Sequence, residues 1–403
     1  MPQASGVFKQ VKFKRETTYG VVPTAAAAQA LRRTSSDLSL TKQTYQSAEI
    51  RTDQQVQDFR HGVRSADGSV AGELSPRTYS DFISAALRRD FTVGVSAVSQ
   101  SITIAGAGPT YTVTRAAGSW LTDGFKRGHV VRLSVGAHNA ANLAKNLLIQ
   151  ALTATVLTVR VLNASALVAE GPIVTSTCAV VGKNTWAPTT GHTNISYAIE
   201  HWFSDVPQSE VFIGCHPTQV DLSLPPTGLA TVSIGMMGKD LITNTAEYFT
   251  APTAAPAIGI TASVNGLLLL NGVAVSVLTG LTLSIASGRS GDAVVGANTI
   301  PTRFPGRIVV TGQATAYFED ATFRDAFLNE TELELIVVLS SDNTAASDFV
   351  GITLPRIKLG GSSKSDGESG IVQTIPFQAL LPITGGTGIG NELTTLLMQD
   401  SAA

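Results

Sequence analysis

One long apolar segment decides between the two broad kinds of fold open to this chain. Residues Ile258–Ile285 carry no charged side chain, and a run of this length is typical of a membrane-spanning helix. Two Asn-Gly pairs interrupt it, at Asn265-Gly266 and Asn271-Gly272. Because Asn-Gly is the preferred pair for the tight turn of a β-hairpin, we expect a buried hairpin at "LLLLNGVAVSV" and no membrane span.

The segments on either side of this run also predict strands. "NISYAIEHWFSD", "RIVVTGQATAYF" and "ELELIVVLSSD" alternate apolar and polar residues, as half-buried strands do. Charged residues make up 14% of the chain, against about 25% in an average soluble protein. So few charges favour β-structure that hides much of its surface against other copies. Asp320–Thr331 is an exception and fits one short helix.

A convincing amphipathic helix is predicted at "SPRTYSDFISAALRRD". Ser75 suits the N-cap, and Pro76 suits the first helical position. Four apolar residues at helical spacing should pack this helix onto a sheet: Tyr79, Phe82, Ile83 and Leu87. Nearer the N-terminus, the alanine-rich "AAAAQALRRTSS" predicts a marginal helix that only packing would order.

A long polar segment precedes the amphipathic helix. Ser36–Arg51 alternates like a strand, whereas Thr52–Glu73 is rich in Gly, Asp, Gln and Arg. Such length predicts a long hairpin or an ordered loop with a function. The polar residues singled out there are Asp53, Gln57, Asp58, Arg60, Arg64 and Asp67.

The composition changes between about residues 92 and 181. Acidic residues nearly vanish from this block, while basic residues persist and five or six short strands follow one another. We therefore predict a small β-barrel inserted into a larger β-domain. The predicted divisions are residues 1–91 and 182–381 for the main domain, 92–181 for the insertion and 382–403 for a C-terminal arm.

No residue pattern predicts catalysis, a cofactor or a metal. None of the six histidines falls in a ligand motif, and Cys178 and Cys215 lack metal-ligand spacing. We read both cysteines as buried thiols. Gly385–Gly390, "GGTGIG", lacks the spacing of a phosphate-binding loop and is better read as a flexible tail.

The acidic residues raise one further hypothesis. Glu330, Glu332 and Glu334 alternate, which predicts that they share one face of a sheet. The ordinary interpretation is a solvated face, and the alternative is the wall of a channel. Nothing in a net charge of −2 argues for tight, salt-driven binding of nucleic acid, which needs basic patches that face phosphates. A surface along which nucleic acid slides should instead be neutral or acidic. The N-terminus lacks the apolar core of a signal peptide.

Several segments together resemble one known family. "RETTYGVVP" and the stretch from "LSLTKQTYQ" to "ISAALRRDF" are similar to the opening of tail tube proteins of long-tailed bacteriophages. "VFIGCHPTQVDLSLPPTGLATVSIGMMGKDL", "GQATAYFEDATFRDAFLNETELELIVVL" and "ITLPRIKL" with "GIVQTIPFQALL" resemble its later strands and closing arm. The resemblance covers about Val7–Phe91 and Gly182–Leu381.

This resemblance implies an all-β fold, a β-sandwich or half-closed barrel flanked by one α-helix at Pro76–Arg89. It implies hexameric rings that stack into a hollow tube, through which double-stranded DNA passes without specific binding. The loop at about Thr52–Gly72 and arms at Met1–Thr24 and Gly360–Ala403 would contact the next ring. The inserted domain would decorate the outside of the tube.

The implied partners are other copies of the chain and the tape measure, tail tip and tail terminator proteins. The implied location is the virion tail, after synthesis in the host cytoplasm. One alternative stays open: a virion surface protein that binds a host receptor or carbohydrate through the inserted domain. An enzyme is a more distant alternative, because no catalytic constellation is visible.

Overall fold

The computed structural model describes residues 3–163, 166–366, 368, 370–382 and 394–403. The first part contains β1 (Lys9–Arg15), β2 (Gln29–Ala30), β3 (Ser35–Ser36), β4 (Ser39–Gln46), β5 (Phe59–Glu73), α1 (Ser80–Leu87) and β6 (Thr92–Val93). The inserted part contains β7 (Ser96–Ala107), β8 (Thr110–Arg115), β9 (Val130–Ser134), β10 (Leu147–Leu152), β11 (Val156–Val161) and β12 (Glu170–Val180).

The remaining part begins with β13 (Lys183–Trp186), β14 (Tyr197–Phe203), β15 (Gln208–Leu224), β16 (Thr231–Gly238), β17 (Asp240–Asn244), β18 (Gly266–Leu270), β19 (Val273–Ala274) and β20 (Leu278–Ala286). It ends with β21 (Val309–Tyr317), α2 (Thr322–Leu328), β22 (Leu333–Ser340), β23 (Phe349–Leu359), β24 (Ser363–Lys364), β25 (Val372–Ala379) and β26 (Leu397–Asp400). The predicted all-β class is confirmed, since strands hold 48% of the residues and helices 5%.

The inserted part is a closed barrel with strand order β10-β11-β8-β7-β12-β9, which confirms the predicted small β-barrel. Alternating residues of these strands fill its interior, among them Ile102, Ile104, Leu147 and Leu157, and Trp120 completes the core. At its base, β6 pairs with β13, so the chain leaves and re-enters the main domain at one place.

The main domain is one continuous, bent sheet system around a large apolar core. Its strand order is β4-β5-β16-β15-β20-β21-β25-β23-β22-β18-β19. The long strand β15 serves two sheets: its first half pairs with β14 and β17, and its second half pairs with β16 and β20. Strand β1 pairs with β14 and buries Val11 and Phe13, so this part of the predicted N-terminal arm belongs to the sheet.

The main domain contains the same structural unit twice. Unit 1 (residues 9–244 without the barrel) runs β1-β2-β4-β5-α1-β14-β15-β16, and unit 2 (residues 266–400) runs β18-β19-β20-β21-α2-β22-β23-β25. Within each unit the corresponding strands have the same neighbours: β5 lies beside β16 as β21 lies beside β25, and β1 lies beside β14 as β18 lies beside β22.

The residue pairing is also duplicated. Gly68 lies opposite Met236 in the β5–β16 ladder, and Gly312 lies opposite Phe377 in the β21–β25 ladder. The residue pairs of the second ladder follow from those of the first when 244 is added to the number of the β5 residue and 141 to the number of its partner. Met236 and Phe377 both point into the core.

A shift of strand register recurs at the equivalent place in both units. The β14–β15 ladder shifts register between Tyr197 and Ile199, and the β22–β23 ladder shifts between Leu333 and Leu335. Because a bulge disturbs pairing at one specific residue, its recurrence excludes a chance likeness of two sheets. The duplication is faint in the sequence, where the helices share only the pattern Phe-x-x-Ala-x-Leu, at residues 82–87 and 323–328.

The helices correct several local predictions. The short helix predicted within Asp320–Thr331 is confirmed as α2, so the main domain has a helix in each unit rather than one. Helix α1 begins at Ser80 and not at Pro76, because Arg77 adopts a left-handed conformation with φ of 66°. The helix predicted at the alanine-rich run is wrong: Gln29–Ala30 pairs with β1 instead, which satisfies its backbone through the sheet.

The Asn271-Gly272 hairpin is confirmed. Both residues have positive φ, 49° and 80°, as the tight turn between β18 and β19 requires. Asn265 ends a short 3-10 turn instead, and Gly266 is extended with φ of −87°. No helix among the described residues is long and apolar enough to cross a membrane.

Candidate assembly surface

The most exposed feature of the main domain is the long hairpin formed by β4 and β5. Its tip, residues 47–58, contains no strand, and almost every residue in it is exposed. Ile50 is 99% exposed and Val56 is 58% exposed. Apolar side chains on a projecting tip are unfavourable in water, so a tip of this kind is suited to burial against another molecule.

Charged residues give the tip a defined shape. Arg51 pairs with Asp53 at 2.9 Å and donates to Gln57 Oε1 at 2.6 Å, and Arg60 pairs with Asp58 at 2.8 Å. The hydrogen bond from Arg51 lowers the pKa of Asp53. Four predicted contact residues thus lie together at or beside the tip: Asp53, Gln57, Asp58 and Arg60.

The other two predicted contact residues lie lower on the hairpin and are engaged within the chain. Arg64 pairs with Asp240 at 2.6 Å, and its backbone N–H donates to Asn298 at 3.0 Å. Asp67 accepts hydrogen bonds from Ser65 and Thr41. The predicted polar loop is therefore shorter than expected, because from Phe59 onward the chain is a strand of the main sheet.

Helix α1 anchors the base of this hairpin. The apolar residues predicted to pack, Tyr79, Phe82, Ile83 and Leu87, are all buried in the main core. The ring of Phe82 lies 4.7 Å from that of Phe13 and 5.1 Å from that of Tyr197. Tyr79 donates to the carbonyl of Arg32 at 2.8 Å, and burial raises the pKa of Tyr79 to about 12. A side chain at Gly72 would overlap the Tyr79 hydroxyl, so this glycine lets the strand lie against the helix.

Several strand edges of the main domain have no partner strand among the described residues, and two of them are relevant here. One is the outer edge of β3 and β4, and the other is the outer edge of the segment 361–366, which contains β24. Both segments are largely exposed. Unpaired edges are templates for pairing with another chain, so they are candidate contact surfaces.

The barrel is docked firmly on unit 2. Val130 and Leu148 of the barrel share an apolar cluster with Ile336, Val338 and Phe349. Polar bonds surround this cluster. The side chain of Gln399 accepts from the Val130 N–H at 2.8 Å and donates to the carbonyls of Val130 and Val181 at 2.9 and 2.8 Å. Asn146 donates to the carbonyl of Ser347 at 2.8 Å.

Gln399 belongs to the segment predicted as a C-terminal arm. That segment ends in β26, which is buried between β13 and β23 of the same chain. The glycine-rich segment Gly385–Gly390 lies outside the described residues.

The three glutamates do not share one solvated face. Glu330 and Glu332 are exposed and paired with Lys358 and Arg356. Glu334 is 5% exposed, and its Oε2 lies 2.7 Å from Nη2 of Arg127 in the barrel, without the alignment of a hydrogen bond. Glu334 therefore faces the docked barrel, and the alternation seen in the sequence does not continue to Glu330, which adopts φ of 50° before the strand begins.

A polar cluster in the barrel escaped sequence reasoning. His138 Nε2 lies 2.6 Å from Ser176 Oγ, and His138 Nδ1 lies 2.8 Å from Glu170 Oε1. Although burial opposes it, hydrogen bonds from Asn142, Asn139 and His138 lower the pKa of Glu170. The order serine–histidine–carboxylate resembles a hydrolase triad, but Ser176 is completely buried, so no substrate reaches its hydroxyl. The cluster ties the loop before Asn142 to β12. No sequence motif brings these residues together.

Among the described residues, no group of three or more His, Cys, Asp or Glu side chains is placed to hold a metal ion. Cys178 and Cys215 are free and buried, as expected.

The comparison with protein families agrees with this arrangement. The family model described as phage tail tube protein matches residues 9–379, which includes unit 1, the inserted barrel and unit 2 as far as the end of β25. No curated protein sequence matches the chain.

Proposed function

The chain belongs to the phage tail tube protein family, and from this premise we propose that its copies close into rings with six equivalent units around the axis, which stack into the hollow tail tube. Membership in the family makes the protein a structural component of a bacteriophage tail. The ring order, the stacking and the passage of double-stranded DNA through the tube are the proposal.

One observation carries the proposal: a large sheet that ends in an unpaired edge strand and continues into a long hairpin with an exposed apolar tip. An open edge is a liability for a protein that works alone. Lateral pairing of edges in a closed ring removes the liability, and a hairpin that projects from each subunit supplies a contact to the next ring. Heterologous contacts that close by rotation give rings, and repetition along the axis gives a tube.

The tip is proposed as the stacking contact, with Ile50 and Val56 as its apolar part and Asp53, Gln57, Asp58 and Arg60 as its polar part. Because Arg51 and Arg60 neutralise two of its carboxylates, the tip is better suited to packing than to long-range attraction. The barrel, docked on unit 2 by buried contacts, is proposed to lie outside the tube wall.

The proposed relation to DNA is passage without specific binding. The chain carries 28 basic and 30 acidic residues, which offers little counterion release on contact with phosphates. Glu330 and Glu332 remain candidates for the channel wall, and Glu334 does not, since it is buried against the barrel. The proposed partners beyond other copies are the tape measure, tail tip and tail terminator proteins.

Electron microscopy of the purified protein tests the stacking contact. We expect wild-type protein to form tubes and the double variant Ile50→Ser/Val56→Ser to form rings without tubes, because each substitution removes an apolar contact at the ring–ring surface. The matched control is Val98→Ser/Val174→Ser on the barrel, where the two valines are 62% and 65% exposed. Long tubes from the tip variant would overturn the stacking role, and a wild-type protein that forms neither rings nor tubes would overturn the proposed function.

A further inference from the structure

The two units of one chain meet along a single strand seam. The second half of β15 pairs antiparallel with β20, from Gln219 opposite Ala286 to Leu224 opposite Leu281. Leu222 and Leu283 are both buried at this seam. The sheet of unit 1 thus continues directly into the sheet of unit 2. We call this contact the internal seam.

Each of the two strands that form the internal seam has an equivalent segment in the other unit. Neither equivalent segment has a partner strand on its outer side among the described residues. In unit 1 the edge formed by β3 and β4 is equivalent to β20 of unit 2. Leu40 lies opposite Ala66 in unit 1, and the equivalent pair in unit 2 is Ile285 opposite Val310. Residues 36–41 therefore correspond to residues 281–286. No strand pairs with the outer side of residues 36–41 in the part of the chain that the structure describes.

In unit 2 the counterpart of the second half of β15 is the segment 361–366. Ser363 lies opposite Thr374 in the same step of the ladder as Asp221 opposite Ser233. Residues 361–366 therefore correspond to residues 219–224. The outer side of this segment also has no partner strand among the described residues.

We infer that residues 36–41 of one chain pair antiparallel with residues 361–366 of the next chain, in the register of the internal seam. Carried over pair by pair, this register places Ser39 opposite Ser363, since Ser284 lies opposite Asp221. The inference rests on the proposed function, and it names the partner surface: the unit 2 edge of a second copy.

This pairing changes the number of chains that make up a ring with six equivalent units. Each chain supplies two units joined by an internal seam, and the same seam repeats between chains. If the ring has six equivalent units, it contains three chains and alternates internal seams with seams between chains. Three chains of 42.0 kDa give a ring of about 126 kDa, whereas six give about 252 kDa.

The two kinds of seam differ in chemistry. Leu222, buried at the internal seam, corresponds to Lys364, whose ammonium group lies 3.6 Å from the centre of the Phe318 ring. The segment 361–366 reads Gly-Ser-Ser-Lys-Ser-Asp and has no apolar side chain to bury. The seam between chains therefore relies on backbone hydrogen bonds, and a free edge of this polarity resists nonspecific aggregation before assembly.

Engineered disulfides test the register. Opposed residues of antiparallel strands have Cα atoms about 4.5–5.5 Å apart, within the range that a disulfide spans. We expect Ser39→Cys/Ser363→Cys to cross-link neighbouring chains when rings are oxidised. The matched positive control is Asp221→Cys/Ser284→Cys, which should cross-link within one chain. The register control is Ser39→Cys/Lys364→Cys, whose side chains would lie on opposite faces of the sheet. The native cysteines are both buried and should not interfere.

A non-reducing gel of the oxidised assemblies decides the outcome. Bands at one, two and three chains, with nothing larger, support both the register and the three-chain ring. A series that continues to six chains overturns the three-chain ring. Assemblies that form but do not cross-link through Ser39→Cys/Ser363→Cys overturn the pairing while leaving the proposed function intact. A wild-type protein that never assembles removes the premise instead, so the two failures are distinguishable.

Discussion

Replacement of Glu334 by glutamine should remove a pH dependence from the stability of the unassembled protein. Glu334 lies at the contact between unit 2 and the barrel, with Arg127 as its charged neighbour. Burial raises the pKa of Glu334 to about 7, although the attraction of Arg127 opposes the rise. In the unfolded chain the same carboxyl should titrate near its ordinary value of about 4.3.

The direction and the magnitude of this pH dependence follow from the linkage between proton binding and folding. Between about pH 4.5 and pH 7 the folded protein holds a proton at Glu334 that the unfolded chain has lost, so the free energy of unfolding falls as the pH rises through this window. Each unit of pKa difference corresponds to about 1.4 kcal/mol, so the difference between about 7 and about 4.3 gives an upper bound of about 3.7 kcal/mol for this carboxyl. Glutamine has a similar shape and does not titrate, so the variant should lack this loss.

Urea unfolding of wild type and Glu334→Gln at pH 5 and pH 8 measures the effect. The decline in unfolding free energy from pH 5 to pH 8 should be larger in wild type than in the variant by about 2–3 kcal/mol. Other titrating groups contribute equally to both proteins and cancel in the comparison. Equal declines in the two proteins would refute the reasoning, because they would show that Glu334 titrates alike in the folded and unfolded states.

Two further predictions concern the units and the barrel. Phe82→Ala should lower the free energy of unfolding by about 3–5 kcal/mol, because Phe82 is fully buried. Phe323→Ala, at the corresponding and partly exposed position of α2, should lower it clearly less. Equal losses measured by calorimetry would contradict this difference in packing. Deletion of residues 94–182 with a short linker should leave a main domain that still assembles but unfolds at lower temperature, because Phe349 and its apolar neighbours become exposed. Electron microscopy tests the assembly, and thermal unfolding tests the stability. Loss of rings from a folded deletion variant would assign the barrel a role in assembly.

Local patterns in the sequence were sufficient for the class of fold. Apolar–polar alternation predicted strands, Asn271-Gly272 predicted a tight hairpin, and the stripe from Tyr79 to Leu87 predicted a helix that packs on a sheet. These features depend on neighbours a few residues apart, so they are visible without the tertiary structure. The compositional change after residue 91 likewise predicted the barrel, because a self-contained core needs its own set of strands.

Contacts between residues far apart in the sequence determined the features that local patterns did not predict. Glu334 follows the same alternation as Glu332, and only the barrel docked above it makes one carboxylate buried and the other exposed. His138, Glu170 and Ser176 are far apart in the sequence and meet because the barrel closes.

The duplication of the main domain was almost invisible in the residues themselves. A core position accepts any apolar side chain of suitable size, so Met236 and Phe377 occupy equivalent places without resembling each other. Backbone hydrogen bonding is less tolerant, since a shift of one residue turns every side chain to the other face of the sheet. Register is therefore kept where sequence likeness is lost, and only the tertiary structure displays it.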